Sequence, residues 1–447
     1  MIKKIKQILG IGKKEETKAV QSEVAVPASK IPSTQKTYVV IGASAAGVDA
    51  VKTLRKLDKD LKIIVISKDE QIYSRCMLHH VISEHRTIEG INFVDADFME
   101  KQDATWIKKA TVTSVDTNNK VVNYEKDGKT QQQAYDKLLI TAGANAFIPP
   151  VKNLREAKNV YPLRNIEDAV AIREKAKHCK KVAIMGAGLV GIDALAGLVE
   201  MNNIEELSLI VSNNRILDRQ LDLEAAHTYE AKFEEKGVKI YKERMASEVF
   251  VDANNNITGV DLGNGEKLDC ELLVVSTGVK SNVEFLEGSG IKVDRGVVVN
   301  EKCETNIPDV YAAGDITGTG IWPLAVKQAV VAASNMLGVE KTIADSFQFK
   351  NTMNFLGIPT VSLGFIEPPD DTYTVITQKD GDTYKKAVIK DDVLIGYLVQ
   401  GDISYVGPLN KLIKEKVKVD NLADRVFEIG YADFFSIKED GQFEWRV

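Results

Sequence analysis

Gly42-Ala43-Ser44-Ala45-Ala46-Gly47 and Gly186-Ala187-Gly188-Leu189-Val190-Gly191, 144 positions apart, are the stretches whose reading decides the fold. Each follows a short apolar run, Tyr38 to Ile41 in one case and Val182 to Met185 in the other, and each opens a helix-compatible stretch. Strand, tight turn and helix in that order are the context a phosphate-cradling fingerprint needs. The first glycine permits the turn, the second position must be small so that backbone approaches a pyrophosphate, and the third lets helix pack on strand. The N–H groups at the helix start then face the phosphates. One such motif alone is a weak signal. Two in one chain imply two dinucleotides, and the usual reason to hold two is to pass electrons between them.

Composition sets the outer limits. The 447 residues are enough for about three domains, and 44% hydrophobic residues suits a packed interior. A net charge of −6 argues against a nucleic-acid partner, which needs a basic stripe. Four cysteines with no C-x-x-C pair exclude a disulfide framework and a zinc ribbon. They leave no cluster for a metal or an iron–sulfur centre of the chain's own, and they suggest a reducing, cytoplasmic compartment. No apolar run reaches the ~18 residues that span a bilayer.

The first 36 residues differ from the rest, with eight Lys and three Glu, a local charge of +5 against −11 for the remainder. Ile2, Ile5, Ile8 and Leu9 fall on one face of a short helix that Gly10 and Gly12 end, and residues 15–36 have linker composition. Interspersed lysines exclude a signal peptide. Two readings stay open for residues 1–14: a plain terminal tail, or a docking helix for an anionic membrane surface or a partner protein.

A third segment, Thr305-Asn306-Ile307-Pro308-Asp309-Val310-Tyr311-Ala312-Ala313-Gly314-Asp315, is a turn, a short strand and a small-residue turn ending in Asp. With the two fingerprints it resembles the FAD-dependent pyridine nucleotide–disulfide oxidoreductase family, over residues 37 to 447. The resemblance implies an α/β fold of two Rossmann-like dinucleotide-binding domains, for FAD and NAD(P), plus an α+β C-terminal dimerisation domain. Residues 37–151 and 275–345 would form the FAD domain, 152–274 the NAD(P) domain and 346–447 the domain that makes a homodimer. Tyr135 to Gly143 resembles the family's crossover out of the FAD domain, with Thr141 and Ala142 in swapped order, and Val274-Val275-Ser276-Thr277-Gly278 mirrors it. In the C-terminal part, Tyr373 to Thr377, Tyr384 to Ile389 and Val393 to Leu398 read as an antiparallel meander.

By the same resemblance, FAD would be held by Gly42, Ala43, Ser44, Ala45, Ala46, Gly47, Arg75, Ala142, Gly143, Gly314, Asp315, Trp322 and Ala325, with Asp315 accepting from the ribityl chain. The second strand ends at Ser67, so Asp69 is the expected carboxylate for the adenosine ribose. NADH or NADPH would lie on Gly186, Gly188, Leu189, Val190, Gly191 and Gly278, with Asp193 where the family usually has Glu. The following strand, Leu207 to Val211, ends without an acid. An acid there would hold the 2′-OH of NAD and an Arg the 2′-phosphate of NADP, so the choice of nicotinamide is open.

Tyr73-Ser74-Arg75-Cys76-Met77-Leu78-His79-His80 bears most on mechanism. Cys76 and Leu78 fit the run of single-cysteine members such as NADH oxidases and CoA-disulfide reductases, but His79 replaces its Pro. The Tyr-Ser-Arg lead-in instead resembles the nitrite-reductase flavin module and rubredoxin-reductase-like carriers. The expected function is an FAD-dependent NAD(P)H oxidoreductase feeding an iron–sulfur or rubredoxin-like protein, a partner oxidoreductase subunit or a small acceptor. Two alternatives stand beside it: a disulfide or persulfide reductase (or NADH oxidase) with Cys76 as catalytic residue, and an electron-transfer subunit without nicotinamide turnover. His79 and His80 read either as a proton source near the flavin or as ordinary helix residues.

Overall fold

The computed structural model describes residues 36–343 and 350–445. The expected tail and docking helix in residues 1–35 lie outside the described residues. The chain divides into two compact units.

The first unit, from residues 36–70, 97–142 and 283–343, is built on a five-stranded sheet, all parallel. Its order is Val310–Ala312, Lys137–Ile140, Thr37–Ile41, Lys62–Ile66, Ala104–Ile107. The strand leading into the first glycine turn is therefore central. Val39, Val40, Val65 and Leu138 are fully buried, as expected of parallel strands covered on both faces. Helix Ala45–Leu57 packs along helix Trp322–Met336, whose first turn carries Pro323 where a missing N–H does no harm. Strands Thr111–Asp116, Val121–Lys126 and Lys129–Ala134 form an antiparallel insertion.

The second unit repeats this plan. A five-stranded parallel sheet runs Val238–Tyr241, Glu206–Ile210, Lys181–Met185, Leu272–Val275, Val160–Pro162, again with the strand before the glycine turn at its centre. Glu248–Val251, Ile257–Asp261 and Lys267–Asp269 supply the matching antiparallel insertion. The copies differ in the edge strand beside the crossover strand. It follows the crossover in the first unit and precedes the glycine turn in the second.

Two further pieces belong to the second unit. Residues 71–96 carry a short helix, Leu78–Ile82, against helices Ile166–Ala176 and Leu189–Leu198. Leu78, Val81 and Ile82 are buried there. The approach is close enough to require Gly197, since a Cβ on it would stand 2.7 Å from the His79 carbonyl oxygen.

The other piece, residues 350–445, folds as an antiparallel sheet ordered Asn351–Phe355, Ile358–Gly364, Val393–Gln400, Thr383–Lys390, Thr374–Asp380, with helix Val406–Lys414. The three expected strands are present and somewhat longer. The Asn351–Ile358 hairpin was not legible because its turn is Leu356-Gly357, both at positive φ, rather than an Asn-Gly pair. This sheet is fastened to helix Leu223–Glu235. Tyr229 Oη donates to the Ile358 carbonyl at 2.6 Å, and Phe355 meets the Tyr229 ring edge-on at 5.6 Å.

Candidate functional site: two glycine cradles and the Cys76 segment

The two cradles are close copies in backbone geometry. Gly42 and Gly186 sit at φ +105° and +107°, where a side chain is strained. A Cβ on Gly42 would lie 2.3 Å from the Thr141 carbonyl oxygen, and one on Gly186 2.5 Å from that of Ser276. The last glycines close the turn on itself, since a Cβ on Gly47 would meet the Gly42 oxygen at 2.0 Å and one on Gly191 the Gly186 oxygen at 1.9 Å. The middle position behaves differently. No atom lies within 4 Å of where a Cβ on Gly188 would stand, so the smallness there serves something other than the fold. Ser44 takes that position in the first cradle and makes no side-chain cap bond to its helix. First-turn N–H groups of a helix lack intrahelical acceptors, so both turns fit an anionic diphosphate.

Around the first cradle, Ala43, Ala45 and Ala46 are buried. Gly314, at φ +82°, packs so that a Cβ on it would stand 3.1 Å from that of Ala46 and 3.5 Å from that of Ala325. Its N–H donates to Gln328 Oε1 at 2.8 Å. Asp315, half-buried, begins the turn Asp315–Thr317, and Trp322 begins the helix that holds Ala325. Ser67, 5% exposed, is a bridge: it donates to the Asp69 carbonyl at 2.8 Å and accepts from Trp106 Nε1 at 2.8 Å. Ala142 ends the crossover within the first unit and Gly143 begins the next stretch of the second. Gly143 and Gly278 both have positive φ, and the strands after them, Ala144–Ala146 and Val279–Ser281, pair antiparallel.

In the second cradle Leu189 and Val190 form the first helical turn, with Gly191 buried beneath. Beyond strand Glu206–Ile210, the groove is lined by Ser212, Asn213, Arg215, Arg244 and Glu367. Arg215 is occupied: it donates to Glu367 at 2.7 Å, to the Leu221 carbonyl at 3.1 Å and to the Asp218 carbonyl at 3.2 Å.

Cys76 is exposed, whereas Cys179, Cys270 and Cys303 are buried. Burial pushes the Cys270 and Cys303 thiols up to about 12, which keeps them protonated and inert. The Arg75 guanidinium lies over the Tyr73 ring, 4.8 Å from its centre. One turn beyond Cys76, His79 Nδ1 stands 3.6 Å from Asp193 Oδ1 on the second cradle's helix. Burial lifts the Asp193 carboxyl to about 7. Burial, and then the neighbouring His80, lowers His79 to about 4.

Sequence reasoning did not single out three side chains that the structure brings into play. Thr141 Oγ1 donates to the Ile41 carbonyl at 2.7 Å, Ser276 Oγ reaches the Met185 and Gly186 carbonyls at 3.1 Å, and Asp222 joins helix Leu223–Glu235 to strand Thr383–Lys390. The mirrored crossovers placed Thr141 and Ser276 in matching positions, which is the one hint that existed.

Comparison with known proteins agrees with this geometry. Residues 36–334 match the pyridine nucleotide-disulphide oxidoreductase family, and residues 350–417 match the rubredoxin NAD+ reductase C-terminal domain. The chain is 30% identical to the assimilatory nitrate reductase electron transfer subunit of Bacillus subtilis, over 81% of this chain and 47% of that protein. It therefore spans about half the length of that relative. It is 32% identical to the NADH oxidase of Methanocaldococcus jannaschii, over 68% of this chain and 70% of that one. The solved structure of NADH:rubredoxin oxidoreductase from Clostridium acetobutylicum superposes with a TM-score of 0.69 at 26% identity, covering 88% of this chain and 98% of that chain. With two glycine cradles on duplicated parallel sheets and a family match over most of its length, the chain belongs to the pyridine nucleotide-disulphide oxidoreductases, FAD-dependent enzymes that exchange electrons with NAD(P)H.

Proposed function

We propose that this chain takes electrons from NADH or NADPH at the second cradle and passes them, by way of FAD at the first, to a redox protein of the rubredoxin or iron–sulfur type or to a partner oxidoreductase subunit. The observation that carries the reading is the repeated sheet with a backbone cradle on each copy, where Gly188 leaves an open space that the fold does not use. When bound, the two cofactors supply hydride and electron transfer; the protein supplies binding and orientation. Gly42, Ser44, Gly47, Gly314 and Asp315 would hold FAD, with Asp69 on its ribose. Gly186, Gly188, Gly191 and Gly278 would hold the nicotinamide nucleotide. The rubredoxin reductase-type C-terminal match and the likeness to an NADH:rubredoxin oxidoreductase support a protein acceptor.

The reading takes residues 37–151 with 275–345 as the FAD domain, 152–274 as the NAD(P) domain, and the C-terminal domain as the surface of a cytoplasmic homodimer. Among the described residues no helix is long and apolar enough to cross a membrane. A second reading, disulfide or persulfide reduction at Cys76, is favoured by the exposure of that thiol alone among four.

Anaerobic stopped-flow reduction by NADH and by NADPH, followed by mixing with a rubredoxin or with a disulfide, tests both. Fast flavin bleaching and fast reoxidation by rubredoxin support the first reading. Reoxidation by the disulfide alone supports the second. Bleaching by neither nucleotide would leave a subunit without nicotinamide turnover and overturn the proposal.

A further inference from the structure

The groove beyond strand Glu206–Ile210 has a volume of about 740 Å³, the size of a nucleotide cleft. Backbone hydrogen bonds stitch it to the second glycine turn. The Gly186 N–H donates to the Ile210 carbonyl at 3.0 Å, the Leu217 N–H to the Ala187 carbonyl at 2.8 Å, and the Arg244 N–H to the Val211 carbonyl at 3.0 Å. In a dinucleotide fold the adenosine ribose lies at the end of the second strand, where its 2′ substituent is read. Here that strand is Glu206–Ile210, so the 2′ substituent belongs in this groove.

Five charged side chains line it, Arg215 and Arg244 against Asp218, Glu243 and Glu367. Four of them come from the loops that follow strands Glu206–Ile210 and Val238–Tyr241. Glu367 does not: it stands three residues past strand Ile358–Gly364, in the C-terminal sheet. Its neighbour Ile366 is buried in the same core as Ile216 and Leu217, which fixes the backbone that presents it. The Glu367 carboxylate accepts from Arg215 at 2.7 Å. Arg215 is 12% exposed and Glu367 49%, so the acid is the outer member of the pair and covers the guanidinium.

We infer that Glu367, supplied by the C-terminal sheet, is a specificity-determining residue at the second cradle: by occupying Arg215 it withholds from NADPH the cation that would otherwise favour it over NADH. The inference rests on the nicotinamide reading of that cradle.

A 2′-phosphate brings about two negative charges at pH 7. It would enter a groove with three carboxylates and two guanidiniums. Glu367 acts against it twice, by engaging Arg215 and by adding the carboxylate that tips this balance. A 2′-OH is neutral and can donate to a carboxylate, so NADH meets no such penalty. Building an unfavourable charge against one of two similar ligands is an ordinary route to selectivity. Arg244, whose side chain donates to the Glu243 carbonyl at 3.2 Å, remains to offset part of the repulsion.

The test is the ratio of dissociation constants for NADPH and NADH on the intact flavoprotein, measured anaerobically. Calorimetry with adenosine 2′,5′-bisphosphate and 5′-AMP, which differ only in the 2′-phosphate, supplies a readout free of electron transfer. Glu367→Ala should tighten NADPH by about tenfold relative to NADH, the scale of removing one like charge, and tighten the bisphosphate likewise relative to 5′-AMP. Glu367→Gln, which keeps the size and removes the charge, should move both ratios the same way. Loss of a half-exposed pair costs little stability, and a gain in affinity for one nucleotide is not what general damage produces. Adding Arg215→Gln to Glu367→Ala should cancel the gain. Ratios unmoved in both Glu367 variants, or a gain that survives Arg215→Gln, would overturn this role while leaving the nicotinamide reading intact. Failure of wild type to bind either nicotinamide nucleotide would overturn that reading and this role together, so the two failures are distinct.

Discussion

Thr141 Oγ1 stands 2.7 Å from the Ile41 carbonyl oxygen and 3.1 Å from that of Gly42, so one hydroxyl ties the crossover strand to the first glycine turn. Ser276 makes the same tie in the second copy, reaching the Met185 and Gly186 carbonyls at 3.1 Å. Each hydroxyl adds a second donor to a carbonyl that already accepts a backbone N–H, Ile41 from Thr141 and Met185 from Ser276, both at 2.8 Å. The cradle's shape thus depends on a residue about a hundred positions away.

Thr141→Val keeps the shape of the side chain and removes the donor. It should lower stability by about 1 kcal/mol, the usual net worth of one such bond, and speed release of FAD. Thr141→Ser should restore both. Thermal unfolding and flavin release, followed by fluorescence, are the measurements; an unaltered release rate in Thr141→Val would dismiss the tie.

Gly188 and Gly191 should separate binding from folding. At Gly191 a Cβ collides with backbone at 1.9 Å, so Gly191→Val should yield unstable or misfolded protein. At Gly188 a Cβ meets nothing, so Gly188→Val should fold with normal circular dichroism and flavin content yet resist reduction by NAD(P)H. Normal reduction of Gly188→Val would mean that electrons enter elsewhere.

Discrimination between the two nicotinamides should be weak. Val211-Ser212 offers no carboxylate to a ribose 2′-OH, and Arg215 is already engaged by Glu367 and so is poorly placed to take a 2′-phosphate. Reduction rates with NADH and NADPH are expected within roughly tenfold of each other, because no acid stands at the strand end to select the 2′-OH. A preference of several orders of magnitude either way would contradict this.

Asp222 should be a stability determinant that acid removes. It caps helix Leu223–Glu235 through the Ala225 N–H at 3.1 Å, and it accepts from Tyr384 at 2.7 Å and Lys386 Nζ at 2.9 Å. Burial opposes its charge, but those three donors prevail and hold its carboxyl below the ordinary value. Its contribution is therefore complete above the unfolded-state value, near ~4, and is lost as pH falls through the lower folded value. Asp222→Ala leaves Lys386, 12% exposed, without its partner and should cost about 3 kcal/mol. Denaturant unfolding at pH 7 and pH 3 should show wild type losing that advantage in acid.

Cys76 gives a clean redox test. If its thiol takes part, partial reduction should produce a charge-transfer band, two electrons should be taken up beyond those of the flavin, and Cys76→Ser should lose disulfide reduction while still reducing dyes. Uptake of two electrons only, with unchanged kinetics in Cys76→Ser, would reserve the chain for protein acceptors.

Much of the architecture was legible because it is local. Each cradle is specified within about ten residues: an apolar strand, a glycine whose φ no other residue adopts readily, and a glycine under the following helix. Finding that pattern twice was enough to expect two parallel sheets, and the C-terminal meander was legible as β-rich stretches separated by Asp380-Gly381-Asp382 and Asp391-Asp392. What only the tertiary structure decided are contacts between residues far apart in the chain. Nothing local to His79 foretells Asp193, and nothing in Leu223–Glu235 foretells a sheet fastened to it from residues 350–400. The second strand's end showed the same limit: Ser67 looked like a missing acid and is a buried bridge between the Asp69 carbonyl and Trp106. Backbone conformation is written in short sequence because sterics act over a few residues; partnerships of buried polar groups are not, because they are set by which distant surfaces the packing brings together.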